Sequence, residues 1–219
     1  MKNIRNLLAG ISLLASMFAF SKPAFATFGL GINGGMEVFP LVTNGVDVFY
    51  DMGRFTFGAH YAAGSGDLKD LAEAGNVGTT AISIESLDAT STVMSFDARM
   101  FLLFGMNVFV GLGQRTIDLE FDLRDTTLGL TADGKIETET SISRVGFGTM
   151  GRFGVFYIGF DLFAAQIAAS GKSTSTLNSS IPAAATELQS EFDDLDKFAD
   201  DLSTQTWGGG AILSVGALL

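Results

Sequence analysis

Residues 92–104 read Thr92-Val93-Met94-Ser95-Phe96-Asp97-Ala98-Arg99-Met100-Phe101-Leu102-Leu103-Phe104. From Met94 onward every second position is apolar: Met94, Phe96, Ala98, Met100, Leu102 and Phe104. Ser95, Asp97 and Arg99 stand between them. A period of two marks a β-strand with one apolar and one polar face. What decides the fold is the direction of those faces. A soluble barrel turns its apolar residues inward and covers its surface densely with Lys and Glu. Here the polar faces hold mainly Gly, Ser, Thr and a few charges. That composition suits the filled interior of a narrow barrel whose apolar face meets lipid.

The same pattern recurs on both sides of this stretch. Residues 28–39 set Leu30, Ile32, Met36 and Val38 against Asn33, Gly35 and Glu37. Residues 46–52 set Val46, Val48, Tyr50 and Met52 against Asp47, Phe49 and Asp51. Residues 54–63 place Phe55, Phe57, Ala59 and Tyr61 on one face. Downstream, residues 107–123 carry Ile117, Leu119 and Phe121 opposite Thr116, Asp118 and Glu120. Residues 136–152 carry Val145 and Phe147 opposite Arg144 and Gly146. Residues 155–169 alternate Phe156, Ile158, Phe160, Leu162 and Ala164 with Tyr157, Gly159 and Asp161. Residues 206–219 line up Trp207, Ala211, Leu213, Val215, Ala217 and Leu219. That makes eight strands. In the fifth, Arg115 shares a face with Phe109 and Ile117, so a lipid-facing assignment there needs either a bulge that moves Arg115 into the lumen or a position near an interface to which Arg115 snorkels.

The connections alternate in length. Met52-Gly53-Arg54-Phe55 joins strands two and three, and Met150-Gly151-Arg152-Phe153 repeats the same letters between strands six and seven. Strands four and five turn at Gly105-Met106-Asn107. Gly supplies the positive φ of tight hairpin turns. The other end carries longer connections at residues 64–91, 124–135 and 171–205, with a short one at 40–45. Short turns alternating with long loops on an even strand count predict an all-β, eight-stranded antiparallel transmembrane β-barrel.

The first residues agree with export to the outer membrane of a Gram-negative cell. Lys2 and Arg5 precede an apolar run from Leu7 to Phe20, and Ala24-Phe25-Ala26 follows. This is the pattern of a signal peptide over residues 1–26, leaving a barrel over 27–219. About 14 apolar residues are too few for a membrane-spanning helix, which needs roughly 20. The chain's net charge is −11. Loss of Lys2, Arg5 and Lys22 leaves ten basic against 24 acidic residues, near −14. Nucleic acid is excluded as a partner, because phosphate contacts need clustered Lys and Arg. With no Cys in the chain, disulfides and thiolate chemistry are excluded too.

On this strand, turn and loop pattern, residues 27–219 resemble the small eight-stranded outer-membrane proteins of the OmpA-barrel, OmpX and OmpW type. The resemblance implies contact with outer-membrane lipid and lipopolysaccharide, and with the insertion machinery. Those families usually end in an aromatic residue that the machinery reads, whereas this chain ends in Leu219. The resemblance to OmpW also implies a route for small, apolar molecules.

With the apolar stripes in lipid, the lumen receives Glu37, Asp47, Asp51, His60, Asp97, Arg99, Arg144 and Asp161. Buried charges need partners, so the arginines should pair with some of the carboxylates. Such a set is either a selectivity ring or a polar plug, and an eight-stranded barrel is barely wide enough for its own side chains. His60, the single histidine, would serve a lipid-modifying enzyme only beside a Ser or carboxylate; Ser65 is near in sequence without a motif tying the two. In residues 183–202, Leu188, Phe192, Leu195, Ala199 and Leu202 recur at helical spacing opposite Glu187, Glu191, Asp194 and Asp201. Leu188, Phe192, Leu195 and Leu202 are the candidate interaction stripe of this loop helix. A shorter helix is expected at residues 67–74. No cofactor or metal is expected. The functional expectation is a non-enzymatic barrel with a structural or surface-interaction role, its loops meeting an extracellular partner. A narrow channel ranks second and a lipid-modifying enzyme third.

Overall fold

A computed structural model describes residues 27–38, 41–74, 82–178, 188–204 and 207–219. The expected signal peptide, residues 1–26, lies outside them. Eight strands follow one another in order: β1 (Thr27–Val38), β2 (Leu41–Asp51), β3 (Phe55–Asp67), β4 (Ile82–Phe101), β5 (Met106–Asp125), β6 (Thr131–Phe153), β7 (Phe156–Asn178) and β8 (Trp207–Leu218). Each is antiparallel to the next, and β8 closes on β1 from Gly29↔Leu218 to Gly35↔Ile212. Closure leaves no edge within the ring, which lipid demands because it offers no partner to an open backbone.

The outward stripes are apolar on every strand. Leu30 and Ile32, Val46 and Val48, Phe96, Val110 and Leu112, Phe147, Ile158 and Phe160, and Leu213 are all exposed, Phe96 to 72%. A continuous apolar band of this kind is the lipid-facing surface of a transmembrane barrel. No helix among the described residues is long and apolar enough to cross a membrane; the strands make the crossing.

Strand length splits the ring in two. A membrane strand needs about 9–11 residues. β1, β2, β3 and β8 have 12, 11, 13 and 12, whereas β4 and β5 have 20 each and β6 and β7 have 23 each. The surplus rises beyond the lipid band, and there the polarity reverses. On β4, Leu87, Ala89 and Val93 point inward and are buried, while Asp88 and Thr90 face out. On β5, Ile117, Leu119, Phe121 and Leu123 are buried and Asp118, Glu120 and Asp122 face out. Ile136 and Ile142 of β6 continue the inner apolar lining.

The strands correct three expectations. Ile117, Leu119 and Phe121 do not face lipid: β5 pairs without interruption on its own side from Met106 to Arg124, and Phe109, Arg115 and Ile117 all point inward with no bulge. The connections are also shorter than expected, because residues 64–67, 82–91 and 171–178 belong to strands. Ala164, expected outward, is buried after a register shift in β7.

The inner apolar lining is covered by two helices. α1 (Lys69–Ala74) buries Ala72, and α2 (Gln189–Thr204) lies across β5, β6 and β7 with Phe192, Leu195 and Ala199 buried; Leu188, just before it, is buried too. Phe192 meets Phe121 at a centroid distance of 6.0 Å. Each fully buried large apolar side chain contributes about 1.5–3 kcal/mol. The expected helix starts earlier, but residues 183–187 lie outside the described residues, as does the side chain of Leu202.

At the opposite end, tight turns carry the positive φ at Gly53 (80°), Gly105 (77°) and Gly154 (64°). Asp51 accepts a hydrogen bond from the Gly53 N–H at 2.8 Å, an Asx-turn that fixes the first of them. The second Met-Gly-Arg-Phe segment is strand, not turn: Met150–Phe153 ends β6, and Gly154 and Val155 make the reversal. Met106, likewise expected in a turn, begins β5.

Candidate functional site

Period-two alternation places the polar residues of β2, β3, β4, β6 and β7 inside the lipid-facing half, where they meet at one level. Arg99 of β4 reaches across to Asp161 of β7 with a fork of two bonds, at 2.5 and 3.0 Å, and donates to Asn107 at 3.1 Å. Arg144 of β6 donates to Asp97 at 2.5 Å and to the Ser95 hydroxyl at 2.8 Å; Ser95 in turn donates to the second Asp97 oxygen at 2.8 Å. His60 of β3 contacts Asp47 of β2 through Nδ1 at 2.7 Å. Fork-on-carboxylate geometry gives Arg a fixed orientation that Lys lacks.

Glycines make the room. An added Cβ at Gly111 would run into the Asp97 carboxylate, and one at Gly148 into that of Asp161. Close approach to a charged side chain is what requires glycine at these two positions. Phe109 supplies the other wall: the Arg99 guanidinium stacks 4.7 Å from its ring centroid and Arg144 lies 5.6 Å away. The ring's negative face adds to the carboxylates in holding both cations.

What space is left among Asp47, Thr56, His60, Asp97, Arg99 and Tyr157 has a volume of about 40 Å³. That is room for a few water molecules. Above it, Arg115 is buried and donates to Gln166 at 3.4 Å. Below it, Phe49 packs edge-on to Tyr157 at 5.1 Å.

The structure therefore brings together Asp47, His60, Asp97, Arg99, Arg144 and Asp161. Asp51 is inward but apart, at the turn end, where it pairs with Arg152 at 2.5 Å. The side chain of Glu37 lies outside the described residues. Sequence reasoning missed Ser95, Asn107, Phe109 and Tyr157. Tyr157 sits on the polar face of its strand, so its phase pointed inward. Phe109 shares a face with Arg115, and that clash was the signal that the whole face is internal.

His60 has a carboxylate beside it, that of Asp47. Ser65 stands five residues further along β3, outside the cluster. Ser95, the cross-strand partner of His60, gives its hydroxyl proton to Asp97 and accepts from Arg144. A nucleophile needs its proton directed at the base. Among the described residues no cluster of His, Cys, Asp and Glu has the geometry to hold a metal ion.

No protein-family model and no curated protein matches the chain. Solved structures of similar shape include CarO of Acinetobacter baumannii, at 12% identity over 87% of this chain and 97% of that one, with a TM-score of 0.46. A major outer membrane protein from Thermus thermophilus is similar at 11% identity over 89% and 99%, TM-score 0.49. Ail, the attachment invasion locus protein of Yersinia pestis, solved in complex with the heparin analogue sucrose octasulfate, is similar at 9% identity over 89% and 97%, TM-score 0.43.

The second candidate surface lies above the lipid band. β8 stops pairing with β7 at Gln166↔Trp207, so among the described residues 168–178 of β7 pair only with β6. This free edge reads Ala-Ala-Ser-Gly-Lys-Ser-Thr-Ser-Thr-Leu-Asn and is mostly exposed. Ser173 tethers it to α2 through Asp196 at 3.3 Å. The outer face beside it is acidic: Glu137 and Glu139 of β6 and Asp118 and Glu120 of β5 outnumber Lys135 and Lys172.

Proposed function

We propose that the protein is an integral outer-membrane barrel with no enzymatic activity and a closed lumen, serving as a stand for a surface-interaction module. The observation that carries this reading is the doubling of β4–β7. These strands leave the lipid band, reverse their polarity, acquire a helix on their inner face and end in an edge, residues 168–178, that has no second strand beside it among the described residues. An open strand edge is a ready template for an added strand, with main-chain bonds giving affinity and alternate side chains giving selectivity. The extracellular partner that fits is an extended polypeptide segment, its basic side chains directed to the Glu137–Glu139 face.

The packed lumen supports the non-conducting part, since a channel would need a continuous path where Arg99–Asp161 and Arg144–Asp97 now cross. Export by cleavage after Ala26 belongs to the same reading, and N-terminal sequencing of membrane-inserted protein should begin at Thr27. The deciding experiment is conductance of the refolded mature chain in a planar bilayer, with heat-sensitive gel mobility as the folding control. Folded and silent protein is the expected result. Discrete, reproducible current steps would overturn the closed-lumen reading and make Asp97, Arg99 and Arg144 pore-lining residues.

A further inference from the structure

The outside of a closed barrel is convex, yet this one has a recess of about 710 Å³ in its lipid-facing wall, across β3, β4, β5 and β6. Two rows of outward side chains line it. Ala59, Phe96, Leu112 and Ser143 are cross-strand partners in the upper row; Phe57, Ala98, Val110 and Val145 form the lower. The rows lie roughly 7 Å apart and four strands span roughly 14 Å, from strand rise and spacing. Depth comes from alternating size: Ala59, Ala98 and Ser143 stand between Phe57, Phe96 and Leu112. The floor is strand backbone at Gly58, Asp97, Gly111 and Arg144, and the two charged residues there turn inward and pair with each other. An apolar recess of this volume falls within the size range of ligand sites.

We propose that this recess binds one acyl chain of an outer-leaflet membrane lipid, held longer than the lipids around the rest of the barrel. Its position selects the occupant. The recess is continuous with the lipid-facing band, so lipid meets it without any further interface. It also lies directly beneath the level where the outer surface turns polar: one step up are Met94, Gln114 and Ser141, and the next holds Thr92, Thr116 and Glu139. A chain entering from a headgroup at that level reaches the recess within its first carbons. The Ser143 hydroxyl, the one polar side chain on the outer lining, sits on the headgroup side. This site is independent of whether the lumen conducts.

The test uses the refolded mature chain in phosphatidylcholine vesicles containing a small fraction of the same lipid spin-labelled on one acyl chain. Wild type should show a motionally restricted, slowly exchanging component. Ala98→Phe and Ala59→Phe, which fill the recess, should lose it. Val215→Phe, a comparable enlargement on the lipid face of β8 across the ring, should keep it. Heat-sensitive gel mobility shows which variants fold, and Ser143→Leu replaces any filling variant that does not. The proposal is overturned if wild type shows no such component, or if the filling variants retain it, or if Val215→Phe removes it equally. It is also overturned if light scattering finds a wild-type dimer that Ala98→Phe splits, since a second copy would then be the occupant.

Discussion

The two halves of this barrel solve opposite problems with the same strands. In the lipid half of β4, Met94, Phe96 and Ala98 face out while Ser95, Asp97 and Arg99 face in; in the outer half, Leu87, Ala89 and Val93 face in while Asp88, Thr90 and Thr92 face out. The backbone alternation never changes phase between Thr92 and Met94, and only the chemistry assigned to each face does. Lipid makes an inward polar group tolerable if it is paired, because the alternative is exposure to hydrocarbon. Water makes an inward apolar group favourable, because burial removes it from solvent. The lipid half is consequently held by charge pairs and the outer half by a helix on a sheet. The difference yields separable failure modes.

The largest effect is expected at Arg144. Replacing it with Ala leaves Asp97 buried without its guanidinium, and loss of one partner of a buried pair costs about 3–5 kcal/mol. Urea unfolding in lipid vesicles, followed by gel mobility, should show the whole barrel losing stability together. A midpoint unchanged from wild type would mean that the ion pairs do not hold the lipid half. In the outer half the matching deletion is Leu195→Ala, expected to cost about 2–5 kcal/mol as a cavity under α2. Its signature should be local: proteolysis within α2 at a folding temperature where the barrel still runs as the compact, heat-sensitive species. Concerted loss of both would show that the two halves form one cooperative unit.

Where the sequence was readable follows the same division. All eight strands, and the lipid faces of those other than β5, were legible from period-two alternation, because the lipid half contrasts Phe, Leu and Val with Gly, Ser and Asp. Residues 82–91 read as loop, since Ile82, Ile84 and Leu87 break phase at the bulge between Ile84 and Ser86. Residues 171–178 carry one apolar side chain, Leu177, because this edge strand is only partly covered by α2 and has little to bury. The face of β5 is misassigned by the rule that apolar means outward, a rule that holds only inside the lipid band. The charged cluster was legible because Asp or Arg on a lipid strand has one direction to point. The role of Phe109 was not, because an aromatic ring on an internal face looks the same in sequence as one in lipid.

The polarity switch can be located by a pair of substitutions on one strand. Phe160→Arg puts a charge on the lipid face of β7, where an arginine costs about 2–4 kcal/mol at the bilayer midplane and less toward the surface. Thr174→Arg puts the same charge on the outer half, next to Glu137 across the strand. The first should lower the unfolding midpoint clearly, and the second should leave it unchanged or raise it slightly. Equal penalties would place residue 174 in lipid and remove the distinction between the halves. Within the lumen, Tyr157→Phe should be nearly neutral, within about 1 kcal/mol, since among the described residues the hydroxyl has no hydrogen-bond partner to lose.

The smallest effect is expected where the chemistry looks most like Arg144–Asp97. Lys135 and Glu137 form an ion pair at 2.8 Å on the outer face of β6, with Glu120 at 4.0 Å, and hydrogen bonding to Glu137 raises the lysine pKa above its ordinary value. Unlike Arg144, whose side chain is 1% exposed, Lys135 is 39% exposed, so solvent screens its pair and hydrates whichever partner remains. Lys135→Ala should therefore leave the unfolding midpoint where it is, with any residual difference vanishing as salt is raised. A loss approaching that of Arg144→Ala would mean that residue 135 is shielded from water in the membrane-bound protein. That outcome would move the lipid boundary upward and place a bound partner or lipid headgroup against this face.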